Sequence, residues 1–78
     1  MEFDSLRNAI LRVLQVYIKE VTLESTFRED LGADSIDMVQ IMRLVEEDLN
    51  ITLPDGDLDK IVTVKDALDV IRKVTGNE

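Results

Sequence analysis

With 78 residues the chain has room for one small domain, and it contains no cysteine and no histidine, which excludes disulfides and the usual zinc sites as braces and leaves the core to aliphatic packing. Its net charge of −8 argues against a nucleic-acid binder, because an acidic surface is repelled by the phosphate backbone. No apolar run is long enough to cross a bilayer, and the acidic start Met1-Glu2-Phe3-Asp4 lacks the basic region of a secretory leader, so a cytoplasmic monomer is expected.

The first element is a helix. Leu6, Ala9, Ile10, Val13, Leu14 and Tyr17 recur at the spacing of one helical face. Asp4 or Ser5 is expected to cap it, and it should run to about Tyr17. Residues 19–33 read as a long connection, which Phe27 and Leu31 should tie to the core, with Gly32 forming a turn at its end.

The second helix fits Ser35 to about Leu49. Asp34 is placed to cap it, and Asp37 stands three residues on, where the helix dipole favours an acid. Met38, Ile41, Met42, Val45 and Leu49 make its apolar stripe, while Ile36 and Val39 fall to one side with Arg43 between them. Pro54 and Asp55 open a short third helical segment to about Ile61. Thr63 caps a fourth helix, whose inner face is Val64, Ala67, Leu68, Ile71 and Val74. Ile51-Thr52-Leu53 is too short to build a sheet. The expected fold is all-α: a small four-helix bundle of three longer helices and one short third helix, with residues 1–78 forming a single domain.

The charge is unevenly distributed. Residues 1–28 carry four acids and four bases, whereas residues 29–59 carry ten acids and a single base, Arg43. Such a field either solubilises a face or steers basic partners to it. Ser35 is no hydrolase nucleophile, because no glycine follows it at the spacing of a nucleophile elbow and no histidine exists to act as base. Asp55, Asp57, Asp59 and Asp66 imitate part of a calcium loop, but Lys60 stands where the turn glycine belongs. The segment Asp30-Leu31-Gly32-Ala33-Asp34-Ser35-Ile36-Asp37 puts a serine in the first turn of a helix already capped by Asp34. That leaves its hydroxyl free and outward, at a helix start whose N–H groups tolerate a phosphodiester.

Phe27, then Glu29-Asp30-Leu31-Gly32-Ala33-Asp34-Ser35-Ile36-Asp37, resembles the signature of the acyl carrier protein family, with Ile36 replacing the usual leucine. The similarity extends through Glu46-Glu47-Asp48-Leu49, Leu53-Pro54-Asp55 and Ile61-Val62-Thr63-Val64-Lys65-Asp66-Ala67, spanning roughly residues 21–71.

That resemblance implies a carrier and not an enzyme. A phosphopantetheinyl transferase would move 4′-phosphopantetheine from coenzyme A to Ser35, and the arm's thiol would hold acyl groups as thioesters for enzymes of fatty-acid or lipid synthesis. It also implies docking of basic enzyme patches on the second helix, through Asp34, Asp37, Glu46, Glu47 and Asp48 with Ile36 and Val39 as apolar contacts. Met38, Met42 and Val45 would line an acyl pocket. Gln40 and Arg43 depart from the family pattern on the docking face, and favour a specialised carrier with dedicated partners. The alternatives are a carrier for a polyketide, aminoacyl or other secondary pathway, or an unmodified acidic calcium-binding protein.

Overall fold

The structure, a computed structural model, describes residues 1–76. Three α-helices, α1 (Glu2–Val13), α2 (Ser35–Leu49) and α3 (Val64–Thr75), are joined by a 3-10 helix at Asp55–Lys60, and a 3-10 turn at Ile18–Glu20 lies in the first connection. Among the described residues there is no strand, only an isolated antiparallel bridge between Thr26 and Thr63. This is the expected all-α bundle of three longer helices and one short one.

The helices close around one aliphatic core. Leu6 and Ile10 of α1, Ile41 and Val45 of α2, and Val64 and Ile71 of α3 are fully buried, together with Phe27 from the connection. α1 packs chiefly on α2 and more lightly on α3. Each such side chain removed from water stabilises the fold by roughly 1.5–3 kcal/mol.

α1 departs from expectation at both ends. It starts at Glu2, with Met1 as N-cap and Glu2 and Asp4 in its first turn, where acids suit the positive end of the dipole. Neither expected cap is available: Asp4 pairs with Arg7 at 3.2 Å, and Ser5 is buried inside the helix. The helix stops at Val13 rather than Tyr17. The Glu20 carboxylate accepts the Tyr17 N–H at 2.7 Å, starting the 3-10 turn that replaces a further helical turn, and Tyr17 stays exposed. Val74, expected on the inner face of α3, is exposed as well, because nothing from Arg72 onward is buried among the described residues.

The long connection is anchored. Phe27 and Leu31 are buried as expected, and so are Val21 and Ala33. Its backbone is tied to the start of α3: Phe27 N–H donates to the Val62 carbonyl, Val64 N–H to that of Ser25, and Lys65 N–H to that of Leu23, at 2.9–3.0 Å. The last two bonds satisfy first-turn donors of α3 that lack partners within the helix. Thr63 and Asp66 add a capping box at the same end. Asp66 accepts the N–H groups of Thr63 and Val62 at 3.0 Å each, and these two bonds, Thr63's first, hold its carboxyl below the usual carboxylate range.

A carboxyl whose pKa falls on folding stabilises the fold above its unfolded pKa, and that contribution drains away as pH falls through the folded value. Asp66→Ala is expected to cost about 1 kcal/mol near neutrality. The gap from wild type should narrow towards about pH 3. Denaturant titrations at the two pH values check this; an equal gap at both would assign the cost to packing instead.

Candidate functional site

At the start of α2, Asp34 and Asp37 exchange hydrogen bonds. Asp37 N–H donates to Asp34 Oδ1 at 2.8 Å, and Asp34 N–H donates to Asp37 Oδ2 at 3.1 Å. This capping box satisfies the helix start without Ser35. Ser35 is therefore exposed, with its hydroxyl free of any capping role. The backbone N–H groups of Ser35 and Ile36 take no partner among the described residues.

The chain leading into α2 is a compact turn. Thr26 N–H donates to the Asp30 carboxylate at 2.8 Å, and Asp30 N–H donates back to Thr26 Oγ1 at 3.0 Å. The Arg28 carbonyl accepts Gly32 N–H at 3.2 Å, and Ala33 N–H returns to the Phe27 carbonyl at 2.7 Å. Gly32 takes φ +73°, the left-handed conformation that closes the turn and that glycine reaches without a Cβ penalty. The turn carries Arg28 over α2, so that its Nη2 donates to Ser35 Oγ at 3.3 Å. Sequence reasoning missed this contact.

Beside Ser35 lies a cavity of about 300 Å³. Phe27, Met38, Val39, Leu58, Ile61 and Val62 supply apolar lining, and Arg28, Glu29, Ser35 and Asp59 are polar members of its wall. An exposed hydroxyl, free N–H donors at a helix start and a guanidinium form a donor set suited to an anionic ester on Ser35. The neighbouring cavity suits an apolar chain. Of the three side chains expected to line such a pocket, Met38 does. Met42 lines a separate groove between α2 and the Asp55–Lys60 helix, and Val45 is wholly core.

The expected docking residues divide between two flanks of α2. Ile36 and Val39 are exposed, and Val39, Arg43, Glu46 and Glu47 border the groove above the 3-10 helix. Asp48 lies about 180° round the helix from Val39 and borders the α1 side, with Ser5, Asn8 and Arg12, and Glu47 reaches that side as well. Asp34 and Asp37 sit at the helix start in the capping box. Arg43 forms no ion pair with Glu47 or with any other carboxylate among the described residues. Glu46 also braces the fold, since its Oε2 accepts the N–H of buried Leu53 at 2.7 Å and so ties down the chain after α2. Among the described residues no three metal-ligating side chains converge; Asp55, Asp57 and Asp59 follow the 3-10 helix, and Asp57 faces Lys60 at 4.0 Å.

Comparison with known proteins matches residues 4–71 to the family model described as "Phosphopantetheine attachment site". The chain is 42% identical to the acyl carrier protein of Clostridium perfringens over 73 residues, covering 94% of this chain and 96% of the relative. It is 42% identical to the acyl carrier protein of Wolinella succinogenes over 76 residues, covering 97% and 96%. The likeness thus takes in α1, where the sequence had offered only a helical pattern.

The two neighbouring glutamates are expected to separate by mutation. Glu46→Ala removes the acceptor of the Leu53 N–H and should cost about 1–3 kcal/mol. Glu47→Ala, on the surface, should stay within about 0.5 kcal/mol of wild type. Chemical denaturation of the two variants reads the difference.

Proposed function

The chain belongs to the acyl carrier protein family, whose members bear covalent 4′-phosphopantetheine, and from that premise we propose that Ser35 is the attachment point. The protein is then a carrier and not an enzyme, presenting thioester-bound acyl groups to enzymes of fatty-acid or related lipid synthesis. When bound, the arm supplies the thiol that this cysteine-free chain lacks. The observation that carries the assignment is the capping exchange of Asp34 and Asp37, which leaves the Ser35 hydroxyl outward beside an apolar cavity.

The chain's own residues divide the remaining work. Asp34 and Asp37 hold the serine at the helix start. Phe27, Met38, Val39 and Val62 form an apolar wall beside it. Ile36 and Val39 offer exposed apolar contact, and Glu46, Glu47 and Asp48 give α2 the field that draws basic patches on a phosphopantetheinyl transferase and on acyl-processing enzymes. Residues 1–78 act as a single acyl carrier domain, monomeric and cytoplasmic. No helix among the described residues is long and apolar enough to span a membrane.

A second reading, a specialised carrier with dedicated partners, is favoured by one observation. Arg43 is an exposed cation without a carboxylate partner among the described residues, on the flank that carries Val39 and Glu47. There it repels basic docking patches built for ordinary carriers and so sorts partners.

Incubated with coenzyme A and a phosphopantetheinyl transferase, wild type is expected to gain the mass of the arm on the peptide holding Ser35. Ser35→Ala should gain none; mass persisting in that variant moves the site to another hydroxyl.

Arg43→Met tests the second reading. General fatty-acid synthase enzymes are expected to use the variant faster than wild type, with stability changed by no more than about 0.5 kcal/mol. Equal rates for both proteins would remove Arg43 as a selector.

A further inference from the structure

Esterification of Ser35 would set a phosphodiester anion at the start of α2, where Asp34 and Asp37 form the capping box, in a stretch where residues 29–59 hold ten acids and one base. The free N–H groups of the helix start favour that anion, and the two aspartates oppose it. A cation at this point would settle the conflict, and Arg28 is placed there. Its Nη2 lies 3.3 Å from Ser35 Oγ, the atom that becomes the ester oxygen.

Three features set Arg28 apart from a passing surface contact. It sits on the turn closed by the Thr26–Asp30 exchange and the Gly32-to-Arg28 bond, above buried Phe27, so its backbone is held in place. Its charge is not engaged elsewhere. Among the described residues no carboxylate stands within ion-pair distance, although Glu29 and Asp30 follow it directly, and the Asp30 carboxylate is occupied by Thr26 N–H. Finally, Arg28 and Ser35 line the same cavity.

We infer that Arg28 is the counter-cation of the arm's phosphodiester, pairing with it through the planar guanidinium and holding the base of the arm at the mouth of the apolar cavity. A guanidinium presents its donors in a fork that matches phosphate oxygens, which a single ammonium does not reproduce. Against the neutral hydroxyl the same contact is an exposed bond of little consequence. Once Ser35 is esterified, the charge lies on the two non-bridging phosphate oxygens next to Oγ, and the guanidinium pairs with those more strongly than with a neutral hydroxyl. Arg28 therefore acts on the loaded carrier, by opposing the repulsion from Asp34 and Asp37 and by limiting the directions in which the arm leaves the surface. This inference rests on Ser35 being the attachment point.

The test uses the full chain, loaded with the arm from coenzyme A, as wild type, Arg28→Gln and Arg28→Lys. Peptide mass analysis first places the arm on Ser35 in each. Phosphorus NMR of the three loaded proteins is then followed as salt rises from about 0.01 M to about 1 M, over which the Debye length falls from about 30 Å to about 3 Å. Wild type is expected to show a resonance displaced from that of Arg28→Gln at low salt and moving towards it as salt rises. Arg28→Gln should stay nearly constant, and Arg28→Lys should recover part of the displacement. Three resonances with one position and one salt response, on proteins all carrying the arm at Ser35, would overturn the role of Arg28 and leave the attachment reading intact. Absence of the arm from Ser35 in wild type would overturn the attachment reading, and Arg28's role with it.

Discussion

Two carboxylates at the start of α2, Asp34 and Asp37, hold each other's backbone N–H groups, and the arrangement around Ser35 follows from that exchange. A serine in the first turn of a helix is commonly drawn into capping. Here the capping is complete without it, so the hydroxyl faces outward while the helix start remains well determined. The same bonds fix the direction in which α2 leaves the Gly32 turn, and with it the placing of Met38 and Val39 against the cavity. Loss of the exchange would weaken the helix at the point proposed for attachment.

That solution creates an electrostatic difficulty. The acids that free the serine also repel any anion attached to it, and ten acids crowd residues 29–59. Two exposed arginines stand beside or within it, each in a different relation to it. Arg28 approaches Ser35 from the turn before α2, and Arg43 rises from the middle of α2 without a carboxylate partner among the described residues. The first faces the proposed point of attachment; the second lies on the flank proposed for docking. In the proposed scheme the acidic field, long-ranged and screened by salt, brings partners near, and close contacts at Ile36, Val39 and Arg43 distinguish among them.

What could be read from the sequence was local. Asp34 as a cap with Asp37 three residues on, Thr63 as a cap, the stripe from Met38 to Val45, and the Gly32 turn are each set by residues within one or two helical turns, so spacing alone reveals them. The family signature around Ser35 is local in the same sense. The missed features join residues remote in sequence or depend on competition between neighbouring structures. Leu53 N–H reaches back to Glu46 across a loop, and Arg28 meets Ser35 only after the intervening turn has formed. α1 ends early because Glu20 offers Tyr17 N–H an alternative to the helix. Val74 keeps the helical period, yet the last turn of α3 has nothing over it, and a period cannot report where the packing partner ends.

The carrier's arm is proposed to sit on Ser35, and the most direct measurement is made on protein isolated from its own cells. Peptide mass analysis there locates the 4′-phosphopantetheine arm and weighs the acyl group on its thiol. The expected result is the arm on Ser35, bearing an acyl thioester in part of the population. An arm found on another residue, or Ser35 unmodified in every preparation, would contradict it.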